Sequence, residues 1–139
     1  MSDNPDKKQK KQKPKFVDDG RTIYSMENVP SRTGVNLLPA TMLRLSAVKN
    51  IAGIKEASGN VEQLQELMRA VGDKTDVYLG EDSLTYVGMA LGAKGVISVA
   101  ANVAPLLMRE ITANAENGDF AAARNAQLRA LPLIRALFS

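Results

Sequence analysis

The stretch NIAGIKEASG, residues 50–59, sets a single lysine, Lys55, between an apolar run and a turn. The run, Ile51-Ala52-Gly53-Ile54, has the length and composition of a buried strand in a parallel sheet. Ser58, Gly59 and Asn60, which follow, are turn and helix-start residues. Lys55 is therefore expected where a strand ends and a loop begins. An amine at the mouth of an apolar strand is partly desolvated, which disfavours its ammonium form and leaves a nucleophile able to attack a carbonyl. The competing reading is a lysine that lays its stem along the strand end and reaches water with its head. Other chemistries are excluded by composition. The chain has no cysteine and no histidine, so disulfides, thiolate or histidine catalysis and the metal sites built on those ligands drop out. Lys, Tyr, Ser, Thr, Asp and Glu remain.

The elements that must position this lysine repeat along the chain. A turn at Asp18-Asp19-Gly20 leads into a β-prone run, Thr22-Ile23-Tyr24. Residues 28–36, NVPSRTGVN, read as a loop, and a helix follows with Pro39 in its first turn and Met42, Leu43 and Leu45 as apolar positions. After the lysine strand, Asn60 is the expected N-cap of a helix, with Gln63 at capping-box spacing and a stripe of Val61, Leu64, Leu67, Met68 and Val71. Val77-Tyr78-Leu79 is the next strand, closed by Gly80-Glu81-Asp82, and a helix over 83–91 stops at Gly92. Val96-Ile97-Ser98-Val99 is the fourth strand. Pro105 opens a helix whose Leu106, Leu107, Ile111 and Ala115 share a face, Gly118 ends it, and Asp119 starts a last helix, 120–138, expected to bend at Pro132. Strand and helix thus alternate four times. That order predicts βαβ units, an α/β fold and a parallel sheet, either half a barrel or a small open sheet. In a barrel the chemistry lies at the C-terminal ends of the strands, where Arg32, Lys55, Gly80 and Ser98 all fall.

Length and charge set further bounds. With 139 residues, 45% of them apolar, the chain can bury a core but is too short for a complete eight-unit barrel of about 250 residues. The net charge of +3 is unevenly distributed. Residues 1–15 carry six lysines against Asp3 and Asp6, a net of +4, which leaves the remainder at −1. This Lys-rich tail, without an apolar period, is expected to be disordered. It reads either as a solvated tail or as an electrostatic tether to phosphate or an acidic surface. The near-neutral body is not expected to be a nucleic-acid-binding domain. No apolar run approaches a membrane span and no secretory signal is evident, so the expected location is cytoplasmic, with no membrane partner.

From Asn28 to Phe138 the sequence resembles the C-terminal half-barrel of the dihydrodipicolinate synthase family, class I pyruvate aldolases that also include N-acetylneuraminate lyase. The segments that carry the resemblance are NVPSRTGVNLLP (28–39), VKNIAGIKEASGN (48–60), YLGEDSL (78–84), MALGAKGVISVAANVAP (89–105) and GDFAAARNAQLRALPLIRALF (118–138). The resemblance implies the parallel (β/α)4 half of a TIM barrel plus an extra C-terminal helix. Its expected organisation is a tail over 1–15, an unrelated lead-in with a possible strand over 16–27, the half-barrel over 28–117 and the helix over 118–139. It also implies a Schiff base between Lys55 and pyruvate, tautomerisation to an enamine, and attack on the aldehyde of aspartate semialdehyde, a step of lysine biosynthesis. Arg32 of SRTG matches the arginine that binds the second substrate's carboxylate, a task suited to a guanidinium fork. Its presence favours the synthases over the sialic-acid lyases. Gly80 and Ile97 match positions lining the pyruvate pocket. The implied chemistry needs no organic cofactor and no metal.

Three departures from the family pattern bear on expected activity, the simplest being that the sequence stops at Ser139 where the family continues into further C-terminal helices. Where the family has a proton-relaying tyrosine immediately before NVPSRTG, this chain has Glu27, a carboxylate that, ionised beside Lys55, would favour the ammonium. The first four βα units of the barrel, with the rest of the relay and of the carboxylate pocket, have no counterpart here. A half-barrel also leaves two open sheet edges. The expected outcome is a synthase-like fragment, weak or inactive alone, that forms a homo-oligomer. The alternative is a non-catalytic half-barrel that self-associates or pairs with a full-length synthase.

Overall fold

The computed structural model describes residues 24–138. The lysine tail and the first part of the lead-in lie outside the described residues. Four strands, β1 (Tyr24–Asn28), β2 (Ile51–Glu56), β3 (Asp76–Leu79) and β4 (Gly95–Val96), form one sheet in the order β1-β2-β3-β4. Every neighbouring pair is parallel. The expected strand, helix alternation is therefore present, with a sixth and last helix added after it.

Three boundaries differ from the sequence expectation, each for a local reason. The first strand, expected over 22–24, extends to Asn28 in the described residues (Tyr24–Asn28), so the sheet runs across the 27/28 boundary drawn from the sequence. Glu27 and Asn28 are poor strand formers, and it is the ladder to β2, with Glu27 opposite Lys55 and Asn28 opposite Glu56, that holds them extended. The loop expected over 28–36 contains a single helical turn, α1 (Pro30–Thr33). Pro30 presets its entry, and Gly34 ends it at φ +70°, a left-handed conformation that suits glycine, with its N–H on the Pro30 carbonyl. The fourth strand, expected over 96–99, is only Gly95–Val96. One further rung joins Ile97 N–H to the Leu79 carbonyl at 2.7 Å. Then the Val99 and Ala100 N–H groups turn to the Asp82 carboxylate, at 3.0 and 2.8 Å, instead of continuing the ladder.

The helices are α2 (Pro39–Leu45), α3 (Val61–Val71), α4 (Thr85–Ala90), α5 (Pro105–Glu116) and α6 (Phe120–Leu137). Asn60 caps α3 by accepting from Gln63 N–H at 3.0 Å, and Asp119 caps α6 through Ala122 N–H at 2.9 Å. The reciprocal half of the expected capping box is replaced. The Gln63 side chain pairs with Asn36 (2.8 and 2.9 Å), and Asn60 N–H goes to Ser58 Oγ. The buried stripe of α3 is Leu64, Leu67 and Val71, while Val61 is exposed. On α5 the buried face is Met108, Ile111 and Ala115. Leu106 was expected on that face but is 77% exposed, because the stripe keeps the i, i+3, i+7 spacing from Met108.

Strand alternation sorts the sheet into two layers. Ile54, Glu56, Val77 and Leu79 are buried on the face covered by helices, in a core with Met42, Leu64, Leu67 and Val71. A second core, with Met108, Ile111, Ala126, Ala130 and Ile134, joins α5 to α6. On the opposite face the register sets Glu27, Lys55 and Tyr78 side by side. None of these three is fully buried. Among the described residues, no helix is long and apolar enough to cross a membrane.

Candidate active site

The half-covered face opens, at the C-terminal ends of the strands, into a cleft of about 460 Å³. Its walls come from strand ends and from the loops that follow them. Arg32 comes from α1 after β1, Lys55 from the end of β2, Gly80 from the loop after β3, and Ile97 from the loop after β4. Phe138, just beyond α6, closes one side. The four residues singled out from the sequence as nucleophile and substrate-binding positions therefore line one cavity.

Lys55 is positioned on both sides by ladder bonds and beneath by a glycine. Its side chain is 21% exposed, and its Nζ lies 3.7 Å from the carboxylate of Glu27, which is 63% exposed. At that distance and exposure the pair is a screened charge contact rather than a tight hydrogen bond. The stem of Lys55 passes over Gly80. A Cβ on Gly80 would lie 2.7 Å from the Ala57 Cβ and 2.9 Å from the Lys55 Cε, closer than real contacts allow. Glycine at this position gives the amine its path into the cleft.

Arg32 stands at the apex of a turn that is tied internally. Thr33 Oγ1 lies within hydrogen-bonding reach of the Val29 and Val35 carbonyls, at 3.2 and 3.1 Å, its one proton serving either, and Gly34 N–H reaches the Pro30 carbonyl at 2.9 Å. The Arg32 side chain is exposed, and its guanidinium makes no hydrogen bond or ion pair with another described residue. Its five donors are available to an anion in the cleft. The rim opposite is latched by Asp82. Its carboxylate takes Val99 N–H and Ala100 N–H, fixing the loop that carries Ile97, while its carbonyl accepts from Gln127 of α6 at 3.1 Å. A lysine amine, a guanidinium and small-residue backbone around them have the chemistry to receive a small anionic molecule.

The family match is direct. A family model described as the dihydrodipicolinate synthetase family covers residues 20–139. The chain belongs to the dihydrodipicolinate synthetase family. Its 4-hydroxy-tetrahydrodipicolinate synthase relatives include one from Trichlorobacter lovleyi, 49% identical over 111 residues, and one from Pseudomonas aeruginosa, 50% identical over the same length. Each match takes in 80% of this chain and 38% of the relative, so the chain spans well under half the length of the curated relatives it matches. Solved dihydrodipicolinate synthases superpose on the same portion. The Aquifex aeolicus structure matches 84% of this chain with a TM-score of 0.79 and 41% identity. An Acinetobacter baumannii synthase, chloride-inhibited and complexed with pyruvate, gives 0.80 and 40% over the same share. In both cases 40% of the longer chain is covered. The fold is thus the α/β half-barrel expected, and the family match begins at residue 20, ahead of the Asn28 where the resemblance in sequence starts.

Sequence reasoning did not single out Asn28 and Glu56, which lie directly behind the cleft. Both are buried, at 1% and 3% exposure, and they are joined by a 2.8 Å hydrogen bond from Asn28 Nδ2 to Glu56 Oε2. A signal was available. A glutamate next to the cleft lysine in an otherwise apolar strand must point to the opposite, helix-covered face, where it requires partners.

Proposed function

We propose that this chain carries the Schiff-base half of a dihydrodipicolinate-synthase-type site. The Lys55 amine adds to the keto carbon of pyruvate and the carbinolamine loses water to give an iminium. Loss of a methyl proton then gives an enamine, whose carbon attacks the aldehyde of aspartate semialdehyde. Arg32 holds the carboxylate of that second substrate by a bidentate fork, and Gly80 and Ile97 shape the pyruvate end. The single observation that supports this reading most is the convergence of Lys55, Arg32, Gly80 and Ile97 on one cleft. The pyruvate complex of the Acinetobacter baumannii relative supports the choice of first substrate. Turnover by this chain alone is expected to be weak, because Glu27 stands where the family has its relay tyrosine and because the chain spans 38% of its relatives.

Borohydride reduction in the presence of pyruvate tests the reading. A pyruvate adduct mapped to Lys55, and lost in Lys55→Ala, is the expected result. No adduct at saturating pyruvate would remove the proposal. A second reading, a half-barrel that completes itself with another copy or with a full-length synthase, is supported by one observation. Among the described residues, β1 and β4 each have a neighbour on one side only.

A further inference from the structure

We infer that Asn28 and Glu56 form a clasp on the back of the sheet that fixes the Arg32 turn to the Lys55 strand. They act as positioning residues and touch no substrate. The functional meaning of the clasp rests on the aldolase reading above, but the clasp itself does not.

The geometry is one of complete use. Asn28 sits at the end of β1, immediately before the turn that carries Arg32. Its backbone carbonyl accepts from Ala57 N–H at 2.8 Å, which ties the start of the turn to the loop after β2. Its side chain ties the far end of the same turn. Nδ2 donates to Asn36 Oδ1 at 3.0 Å, and Oδ1 accepts from Leu37 N–H at 2.8 Å. The second Nδ2 proton goes to Glu56. One asparagine therefore closes the segment from Val29 to Asn36 at both ends, with Arg32 between them. Glu56 spends both carboxylate oxygens in the same way, Oε2 on Asn28 and Oε1 on Ser58 N–H at 2.8 Å. The Asn36 amide is held in turn by Gln63 of α3.

Two features separate this from ordinary burial of polar groups. Glu56 is buried without a cation partner among the described residues. A carboxylate in that setting is costly unless neutral donors saturate it, and here they do. The Arg32 guanidinium has no such support of its own. Its placement relative to Lys55 is inherited from the base of its turn, and that base is Asn28. Lys55 and Glu56 are adjacent and on opposite faces, so the same two residues of β2 supply the amine in front and the anchor behind.

The test exchanges the polarity of the link. Glu56→Gln leaves one acceptor for two donors: its N–H₂ meets either the Asn28 N–H₂, breaking the link, or Ser58 N–H, freeing the loop after β2 that holds the Asn28 carbonyl. Turning the Asn28 amide to relieve this would forfeit the bond from Leu37 N–H. The reversal Asn28→Asp with Glu56→Gln restores a donor on 56 facing an acceptor on 28, keeps an acceptor for Leu37, and is accommodated by turning the Asn36–Gln63 amide pair. The full chain is digested with trypsin under native conditions, with cleavage after Arg32 compared with cleavage after Arg129 on α6. Amide exchange of Leu37 and Ser58 is followed beside that of Leu64 in the core. We expect Glu56→Gln to raise the Arg32 to Arg129 cleavage ratio about tenfold, with faster exchange at Leu37 and Ser58 only. The double variant should return the ratio to within about threefold of the parent. Parallel acceleration at both sites, no change at either, or failure of the reversal to restore the ratio would each overturn the clasp. Absence of a pyruvate adduct in the parent chain would overturn the aldolase reading and leave this measurement unaffected.

Discussion

Lys55 owes its path to a residue with no side chain. Gly80 lies under the lysine stem, and a methyl group there meets both the Ala57 Cβ and the Lys55 Cε. The Ala57 contact is close to the backbone and cannot swing away, whereas the lysine can. Gly80→Ala is therefore expected to push the amine off its track and into the open part of the cleft. Pyruvate trapping should fall by up to about a hundredfold, since misplacement of a reacting group by about an ångström has that order of effect. Labelling of Lys55 by a small amine reagent, read by peptide mass, should rise relative to Lys49. A fall in both would point to unfolding instead. At this scale the sequence was informative where a residue type is tied to a motif, as for Lys55, Arg32, Gly80 and Ile97, which share one cleft. For Glu56 it signalled a need for partners but did not say that Asn28 would be one. Their bond spans 28 positions and exists only because β1 and β2 pair in one particular register.

The elements pack closely enough to expose a second glycine dependence. Gly88 on α4 faces Leu79 of β3, which is fully buried, and a Cβ added at Gly88 would overlap the leucine side chain. Alanine in place of glycine inside a helix is worth up to about 1 kcal/mol by propensity. Overpacking a fixed core position costs about 1–3 kcal/mol, so the clash should win. Gly88→Ala is expected to lower the urea midpoint with little change in slope, and a raised midpoint would show that α4 can retreat from β3. The existence and order of α2 to α6, though not of the single turn α1, were legible from caps and periodicity, because Asn60, Asp119, Pro39 and Pro105 mark four of their starts directly. What periodicity could not supply was phase and competition. Leu106 fits an apolar count yet faces water, and the fourth strand ends early because Asp82 captures the N–H groups that would have extended it.

Taken whole, the molecule has one finished side and one unfinished side. Helices cover the back of the sheet, while Glu27, Lys55 and Tyr78 stand on a face that is only partly covered, and β1 and β4 are its edges among the described residues. Exposed strand edges recruit partners. A parallel pairing of β4 with β1 of a second copy would give eight strands in one direction, with both Lys55 side chains on the same rim. Sedimentation velocity on the 139-residue chain is expected to show a dimer or larger species. Dilution should weaken that species and pyruvate trapping together, and a monodisperse monomer with a cooperative thermal transition would contradict this expectation.

The neighbours Lys55 and Glu56 carry one more consequence. Because they occupy opposite sides of a two-sided ribbon, sliding β2 by a single residue against β1 would trade their destinations. The acid would then project into the hollow meant for an anion, and the amine would be thrust among leucines. Loss of one amino acid between Val48 and Ile54 threatens that inversion, whereas loss of one from an outer turn such as Gly72-Asp73 does not. The strand's alignment, more than any single side chain, guards the identity of this pocket.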